Sequence, residues 1–283
     1  MIKSTSKVSS FKILKINSLN SKKASDLVAI EEPLQIIIQF IKSEQWIEKP
    51  LSITMRTPGN DFQLALGFLF SEGIINSIND VLLVRYCETV KDEEKGNVVI
   101  VKLSPKISVD LKDLNRYFYT NSSCGICGKT AIESIISNFT SNNLTDEITI
   151  KKDFFLNLND SLREHQIIFK HTGGIHASAL FDLNGKLISI KEDVGRHNAL
   201  DKVIGTALEK ECIPLKNHIL FLSGRISFEL VQKAIRSGIH IIAAIGAPSS
   251  LAINLAIANK ITLVGFIKKD SYNIYSCPER III

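Results

Sequence analysis

HILFL-SGRIS-FELVQKAIRSG-IHIIAAI-GAPSS-LAINLAIANK-ITLVGFI, the stretch from His218 to Ile267, decides the fold. Three apolar runs, His218 to Leu222, His240 to Ile245 and Ile261 to Ile267, have the length of strands. Between them, Ile226 to Arg236 and about Ser249 to Ala258 have the length and spacing of helices. Upstream, Lys186 to Lys191 reads as a further strand and Asn198 to Lys210 as a further helix. Strands alternating with helices of this length predict a sheet with crossover connections. Near-continuous apolar strands predict that both of its faces are covered. The expected class is therefore α/β, a largely parallel sheet flanked by helices.

That topology has a functional consequence, because ligands of open parallel sheets gather beyond the carboxyl ends of the strands. Those ends carry Glu192-Asp193-Val194-Gly195-Arg196-His197, then Ser223-Gly224-Arg225, then Gly246-Ala247-Pro248-Ser249-Ser250, then Lys268-Lys269-Asp270-Ser271. Small residues let a ligand approach the backbone, bases answer negative charge, and the helix starts that follow favour anions. Each turn taken alone reads equally as capping and turn chemistry. The four on one edge point to a phosphate-bearing ligand. Neither a Walker-type loop nor a Rossmann glycine fingerprint is present, so ATP hydrolysis and ordinary NAD chemistry have no support. Thr172-Gly173-Gly174 is expected at the tip of a turn between two strands.

The first half reads as a smaller α+β unit, with a division expected between residues 1–120 and 121–283. Leu51 to Arg56 is a strand stopped by Thr57-Pro58-Gly59-Asn60-Asp61, and Asp61 can cap a helix over Phe62 to Ser71 that Gly73 ends. Arg56 and Asp61 are expected to brace that turn. Val81 to Cys87 and Val98 to Leu103 read as strands. Phe11 to Ile16 alternates like an edge strand behind a Ser- and Lys-rich terminus. Trp46 is expected in the core.

Composition narrows the class further. The chain has 283 residues, 45% hydrophobic and 22% charged, with net charge +5. That is an ordinary globular balance, too mildly basic to argue for nucleic acid. No apolar run approaches the roughly 18 to 20 residues of a membrane span. The five cysteines, Cys87, Cys124, Cys127, Cys212 and Cys277, are odd in number and make a poor disulfide framework, which fits a reducing cytoplasm.

Asn121-Ser122-Ser123-Cys124-Gly125-Ile126-Cys127-Gly128-Lys129 reads as a loop, followed by a helical pattern over Thr130 to Phe139. A thiol just before a helix start, with Lys129 nearby, has its thiolate favoured and is nucleophilic at neutral pH. Three chemistries use such a pair: half of a zinc site, thiol–disulfide exchange, and carriage of a sulfane sulfur as a persulfide. A zinc site wants further ligands, and the sequence offers no second close Cys or His pair. Exchange normally follows a strand in a βαβ unit. Spacing alone leaves the choice open.

The ordered blocks Met55-Arg56-Thr57-Pro58-Gly59-Asn60-Asp61, Ser123-Cys124-Gly125-Ile126-Cys127-Gly128, Thr172 to His176, Glu192 to Ala199 with Asp201-Lys202, Ser223-Gly224-Arg225, Ala247 to Ala252 and Pro278-Glu279-Arg280 resemble the formate dehydrogenase accessory sulfurtransferase family, FdhD. The resemblance runs from about residue 53 to the C-terminus. It implies a cytidine-deaminase-like core without its metal, a preceding smaller domain, and a cytoplasmic homodimer. It implies a sulfur carrier that receives sulfur from a cysteine desulfurase and sulfurates the molybdenum bis(molybdopterin guanine dinucleotide) cofactor destined for formate dehydrogenase. The catalytic residues it implies are Cys124, the persulfide carrier, and Cys127, its assistant. The family's cofactor-binding segment falls on Phe266, Ile267, Lys268, Lys269, Asp270 and Ser271. Arg196, Arg225, Ser249 and Ser250 join it from the strand-end argument. No metal ligands, nucleic acid or membrane are implied. Lys191 and Lys268-Lys269 stand where relatives often carry arginine, which keeps the charge but loses the planar fork. Cys277 replaces a frequent histidine, and Gly246 a frequent serine.

Overall fold

The structure is a computed structural model that describes residues 6–107, 109 and 148–282. The chain opens with a hairpin, β1 (Val8–Ile16) against β2 (Ser21–Ala29), which forms its own two-stranded antiparallel sheet. Asn17 closes its turn, its Oδ1 accepting the N–H groups of Leu19 and Asn20 at 2.9 Å. The expected edge strand is therefore half of a separate two-stranded ribbon.

A four-stranded sheet follows, built from β3 (Glu32–Lys42), β4 (Gln45–Arg56), β5 (Val81–Tyr86) and β6 (Val98–Leu103) in the order β4-β3-β6-β5. Its central strands β3 and β6 run parallel, and the outer pairings are antiparallel. Along β3, Leu34, Ile36, Ile38 and Phe40 are buried while the alternate residues are partly exposed, the period-two signature of a sheet with one face on the core. Helix α1 (Asp61–Ser71) covers that face. Gly73, at φ 80°, ends the helix region with its N–H on the carbonyl of Phe70. Trp46 does not join the core. Its ring lies at the surface beneath the Lys102 ammonium, 4.1 Å from the centroid.

Beyond β7 (Ile150–Lys151), α2 (Phe154–His165) and α3 (Ile167–Thr172), the chain forms a second sheet. Its strands are β8 (His176–Asp182), β9 (Leu187–Asp193), β10 (His218–Leu222), β11 (Ile241–Ala244), β12 (Thr262–Gly265) and β13 (Asn273–Ser276). The crossover helices are α4 (Arg196–Glu209), α5 (Phe228–Arg236) and α6 (Ser250–Ala258). A short final strand, β14 (Ile281–Ile282), pairs in parallel with β7.

The strand order β13-β12-β11-β10-β8-β9 corrects the expectation of a largely parallel sheet. Only β10, β11 and β12 are parallel neighbours. Strand β8 lies antiparallel between β9 and β10, and β13 is antiparallel on β12. The cause is a tight turn at Gly185, φ 86°, where the Asp182 carboxylate accepts from Asn184 and Lys186 and folds β8 back on β9. Thr172-Gly173-Gly174 is likewise not a strand–strand turn. Gly173, at φ 64°, caps the C-terminus of α3. The class is mixed α/β.

Alternation explains why the inner strands read as unbroken apolar runs. Leu220, Leu222, Ile242 and Ala244 face one core with α4, α5 and α6, and that core continues into α1 and the first sheet. Ile219, Phe221, Ile241 and Ala243 face another, with Phe155, Leu158 and Leu162 of α2. Each buried aliphatic contributes about 1.5–3 kcal/mol. The division expected at residue 120/121 lies outside the described residues.

Candidate functional site

Because β8 runs against both its neighbours, β9 keeps the direction of β10, β11 and β12. The carboxyl ends of all four therefore share one sheet edge, together with the first residues of β8 and β13. The four turns singled out in the sequence meet there.

Two sequence blocks far apart in the chain lock together at the β9 corner. The Asp193 carboxylate accepts from the N–H of Thr57 (3.1 Å) and Gly195 (2.8 Å), from Asn198 Nδ2 (3.1 Å) and from Lys202 Nζ (2.6 Å). Lys202 also donates to the Thr57 carbonyl, and Asn198 to that of Met55, each at 2.8 Å. Burial pushes the Asp193 carboxyl up and the Lys202 ammonium down, while their pairing opposes both shifts. Arg56, itself buried, grips both oxygens of Asp61 at 3.1 and 3.0 Å, so this pair does brace the turn. Asp61 begins α1, and Asn60 takes the N-cap position at φ 56°. Glu192 receives the N–H groups of Ile168 and Phe169 at 2.9 Å and so secures the start of α3. These acids hold the scaffold, and among the described residues none of them pairs with Arg196 or Arg225.

The bases gather beside His176, the first residue of β8. Gly224 lies so close that a Cβ there would sit 3.1 Å from His176 Nδ1. Burial depresses the His176 pKa first, and the charges of Arg196 and Arg225 depress it further, so the imidazole is neutral at pH 7. Arg196 has a buried Nε with no hydrogen-bond partner among the described residues. His197 Nε2 lies 3.1 Å from Ser227 Oγ and 3.7 Å from Glu229. The neighbouring His197 imidazole is the main influence that brings the Glu229 carboxyl down to about 2. Arg225 is exposed at the mouth of this group.

The neighbouring turns interlock. Ile226 donates to the Ala247 carbonyl and Ser249 to that of Ile226, both at 3.0 Å. Gly246 admits this contact, since a Cβ would meet the Gly224 carbonyl at 2.6 Å. Ser249 spends its Oγ capping α6 through the Ala252 N–H, and Ser250 is exposed as the first residue of that helix. Phe266, at φ 54°, lies exposed after β12, whereas Ile267 is buried in the α2 core. Lys268 donates its N–H to the Ser271 carbonyl at 2.8 Å, closing a tight turn that leaves Lys268, Lys269, Asp270 and Ser271 exposed.

Ile267, Lys268 and Lys269 form one wall of a cleft of about 470 Å³. Ile245 lies at its base, and Asn159, Asp160 and Arg163 of α2 form the opposite wall. None of the α2 residues was singled out in the sequence. The spacing of Phe155, Leu158 and Leu162 is the amphipathic signal that would have revealed the helix. Cys124 and Cys127 lie outside the described residues. No helix among the described residues is long and apolar enough to cross a membrane.

Residues 29–282 match the model of the FdhD/NarQ family. The chain is 44% identical over 263 residues to the sulfur carrier protein FdhD of Mycobacterium tuberculosis, covering 90% of this chain and 92% of that one. It is 43% identical over 275 residues to the protein of the same name from Saccharolobus solfataricus, covering 97% and 98%. Among solved structures, a proposed formate dehydrogenase accessory protein from Desulfotalea psychrophila superposes with a TM-score of 0.71 at 23% identity, over 97% of this chain and 99% of that one. That likeness speaks to the fold, and the sequence matches along nearly the whole length speak to descent: the chain belongs to the FdhD/NarQ family.

Proposed function

We propose that this protein is a sulfur carrier serving a formate dehydrogenase, working as a cytoplasmic homodimer with Cys124 as its loading point. The Cys124 thiolate attacks the terminal sulfur of a cysteine desulfurase persulfide; the new S–S bond forms on Cys124 as the donor cysteine leaves as a thiolate. Delivery follows when the Cys127 thiolate attacks the inner sulfur of the Cys124 persulfide. The outer sulfur departs as hydrosulfide toward the molybdenum of the bis(molybdopterin guanine dinucleotide) substrate, and a Cys124–Cys127 disulfide remains. A dithiol reductant returns the pair to thiols. A low thiolate pKa suits the first step, since the ionised form is the nucleophile.

The cofactor arms would lie along the sheet edge, with phosphates near Arg196, Arg225, Ser249 and Ser250 and along Phe266 to Ser271. We read the second sheet and its helices as a cytidine-deaminase-like core, with no catalytic metal of its own. The observation that carries the reading is the convergence of four polar turns, three of them base-bearing, on one edge in a chain whose relatives are named sulfur carriers. Incubation with a cysteine desulfurase and cysteine should add the mass of one sulfur atom, removable by a thiol reductant. Cys124→Ser should abolish that gain. An adduct of the same size in Cys124→Ser would overturn the assignment.

A further inference from the structure

The β1–β2 ribbon ends in side chains that neither hydrophobic core uses. Leu14, Ile16 and Leu19 are 59%, 71% and 92% exposed. Scattered exposed apolars are ordinary, but these three are grouped. Leu14 and Ile16 lie two residues apart on one face of β1, and Leu19 stands in the turn that follows. Four lysines surround them. The antiparallel pairs, from Val8 with Ala29 to Ile16 with Ser21, put Lys12 and Lys23 on the face of Leu14 and Ile16. Lys15 and Lys22 lie on the opposite face as direct cross-strand partners, a like-charge pair that destabilises a hairpin unless an anion joins it. No acid lies between Lys12 and Ser25. None of the four lysines forms an ion pair among the described residues. The ribbon's acid, Asp26, sits opposite Phe11, roughly 17 Å back from the last pair.

We propose that this tip docks the protein on an anionic bilayer surface. Leu14, Ile16 and Leu19 enter the acyl boundary, and Lys12, Lys15, Lys22 and Lys23 meet the lipid phosphates. The dimensions fit. The lysines stand roughly 3–14 Å behind the last pair, a depth from which long ammonium side chains reach headgroups while apolar neighbours dip below them. The turn arrives with its backbone polar groups already paired, as an apolar boundary demands. Leu19 and Asn20 donate to Asn17 Oδ1 at 2.9 Å, and Asn17 donates to the Asn20 carbonyl at 3.0 Å. A protein groove would cover one face of the ribbon, whereas the lysines occupy both, which suits a plane of negative charge around an inserted end. A second copy is disfavoured electrostatically, because the chain carries +5 overall. The ribbon belongs to neither larger sheet, so such docking leaves the candidate site as it is. The inference uses no step of the sulfur-carrier reading, and its test leaves that reading untouched.

The test is sedimentation of the full chain with two kinds of vesicle, phosphatidylcholine alone and phosphatidylcholine mixed equally with phosphatidylglycerol. The unaltered protein should bind the mixed vesicles at least tenfold more tightly, and added salt should weaken that binding. Each change among Lys12→Gln, Lys15→Gln, Lys22→Gln and Lys23→Gln should cost about fivefold, and the four together should erase the preference. Ile16→Ser with Leu19→Ser should weaken binding to mixed vesicles by about tenfold or more. All six side chains are exposed, so these variants keep the fold, which thermal unfolding checks. Leu19→Trp reports insertion directly: its emission, corrected for Trp46 with the unaltered protein, should shift to the blue on mixed vesicles. No sedimentation of the unaltered protein with mixed vesicles overturns the proposal. So does binding that survives both the lysine and the apolar changes, or binding without a shift in Leu19→Trp. A ribbon variant that turns an oligomer into a monomer, with vesicle binding unaffected, would assign the tip to a second copy instead.

Discussion

Gly67 of α1 and Gly205 of α4 allow two backbones to touch. A Cβ on Gly67 would lie 1.9 Å from the Asp201 carbonyl oxygen, and a Cβ on Gly205 would lie 1.9 Å from that of Gln63. The contact is reciprocal, each glycine facing the turn of helix that precedes the other. It brings the first sheet, through α1, against the helix that starts at Arg196.

In an exposed helix, replacing Gly by Ala stabilises by about 0.5–1 kcal/mol. Here the sign should reverse. Either Gly67→Ala or Gly205→Ala forces the helices apart and should lower stability by about 1–3 kcal/mol or more, in the manner of an overpacked core. Urea unfolding checks this, and an Ala variant of unchanged or higher stability would refute the close approach.

Asp61 should prove as sensitive for an electrostatic reason. Its carboxylate faces the buried Arg56 guanidinium, which also reaches Glu32, the Gly96 carbonyl and Asn97. Asp61→Asn leaves that charge largely uncompensated and should cost about 3–5 kcal/mol, less whatever Glu32 recovers. A second readout is local. Burial first, then the Asp61 charge and hydrogen bond, raises the Tyr86 phenol to about 12. In Asp61→Asn it should titrate lower, nearer to 10.0 yet still above it, followed by phenolate absorbance. A phenol unmoved by the substitution would sink this assignment.

Much of the second sheet was legible because its strands are apolar on both faces and its helices are bounded by small polar turns. Four of its carboxyl ends fell where the sequence put them. What escaped was β8. Its residues His176 to Asp182 look like any buried strand, and nothing local says that it inserts antiparallel between β9 and β10. Pairing partners are a tertiary property. The same holds at the candidate site. Arg196, Arg225 and Lys268 stand out by type and position, whereas Asn159 and Asp160 border the cleft only because α2 packs beside Ile267. Trp46 was misjudged because an aromatic ring can serve equally as a platform for a surface lysine.

The His176 imidazole gives the sheet edge a pH signature. Its folded pKa lies below the ordinary 6.5, through burial and then through Arg196 and Arg225. Between the folded value and 6.5 the unfolded chain binds more protons than the folded one, so stability rises with pH across that window. Acidification from pH 7 should therefore remove stability as the pH falls through 6.5 toward the folded value, and no further loss from this group should follow below it. His176→Gln should flatten the profile within that window. Urea midpoints measured at steps from pH 7.5 to about 5 would show it, and coincident slopes for the two proteins would exclude the assignment.

The same imidazole reports whether anions visit the edge. Arg196 and Arg225 disfavour its proton now, and a phosphate group held between them would cancel their field. Saturating pyrophosphate should thus raise the His176 pKa toward 6.5 or above, and the protein should take up protons as the ligand binds. Arg225→Ala should raise the ligand-free value and shrink the pyrophosphate-induced change, because the charge the ligand would neutralise is already gone. The titration is read from the imidazole proton resonance in each protein, with and without ligand. A ligand-free His176 curve that pyrophosphate does not displace would mean that anions do not bind at this corner, and the proposed phosphate contacts would narrow to Lys268 to Ser271.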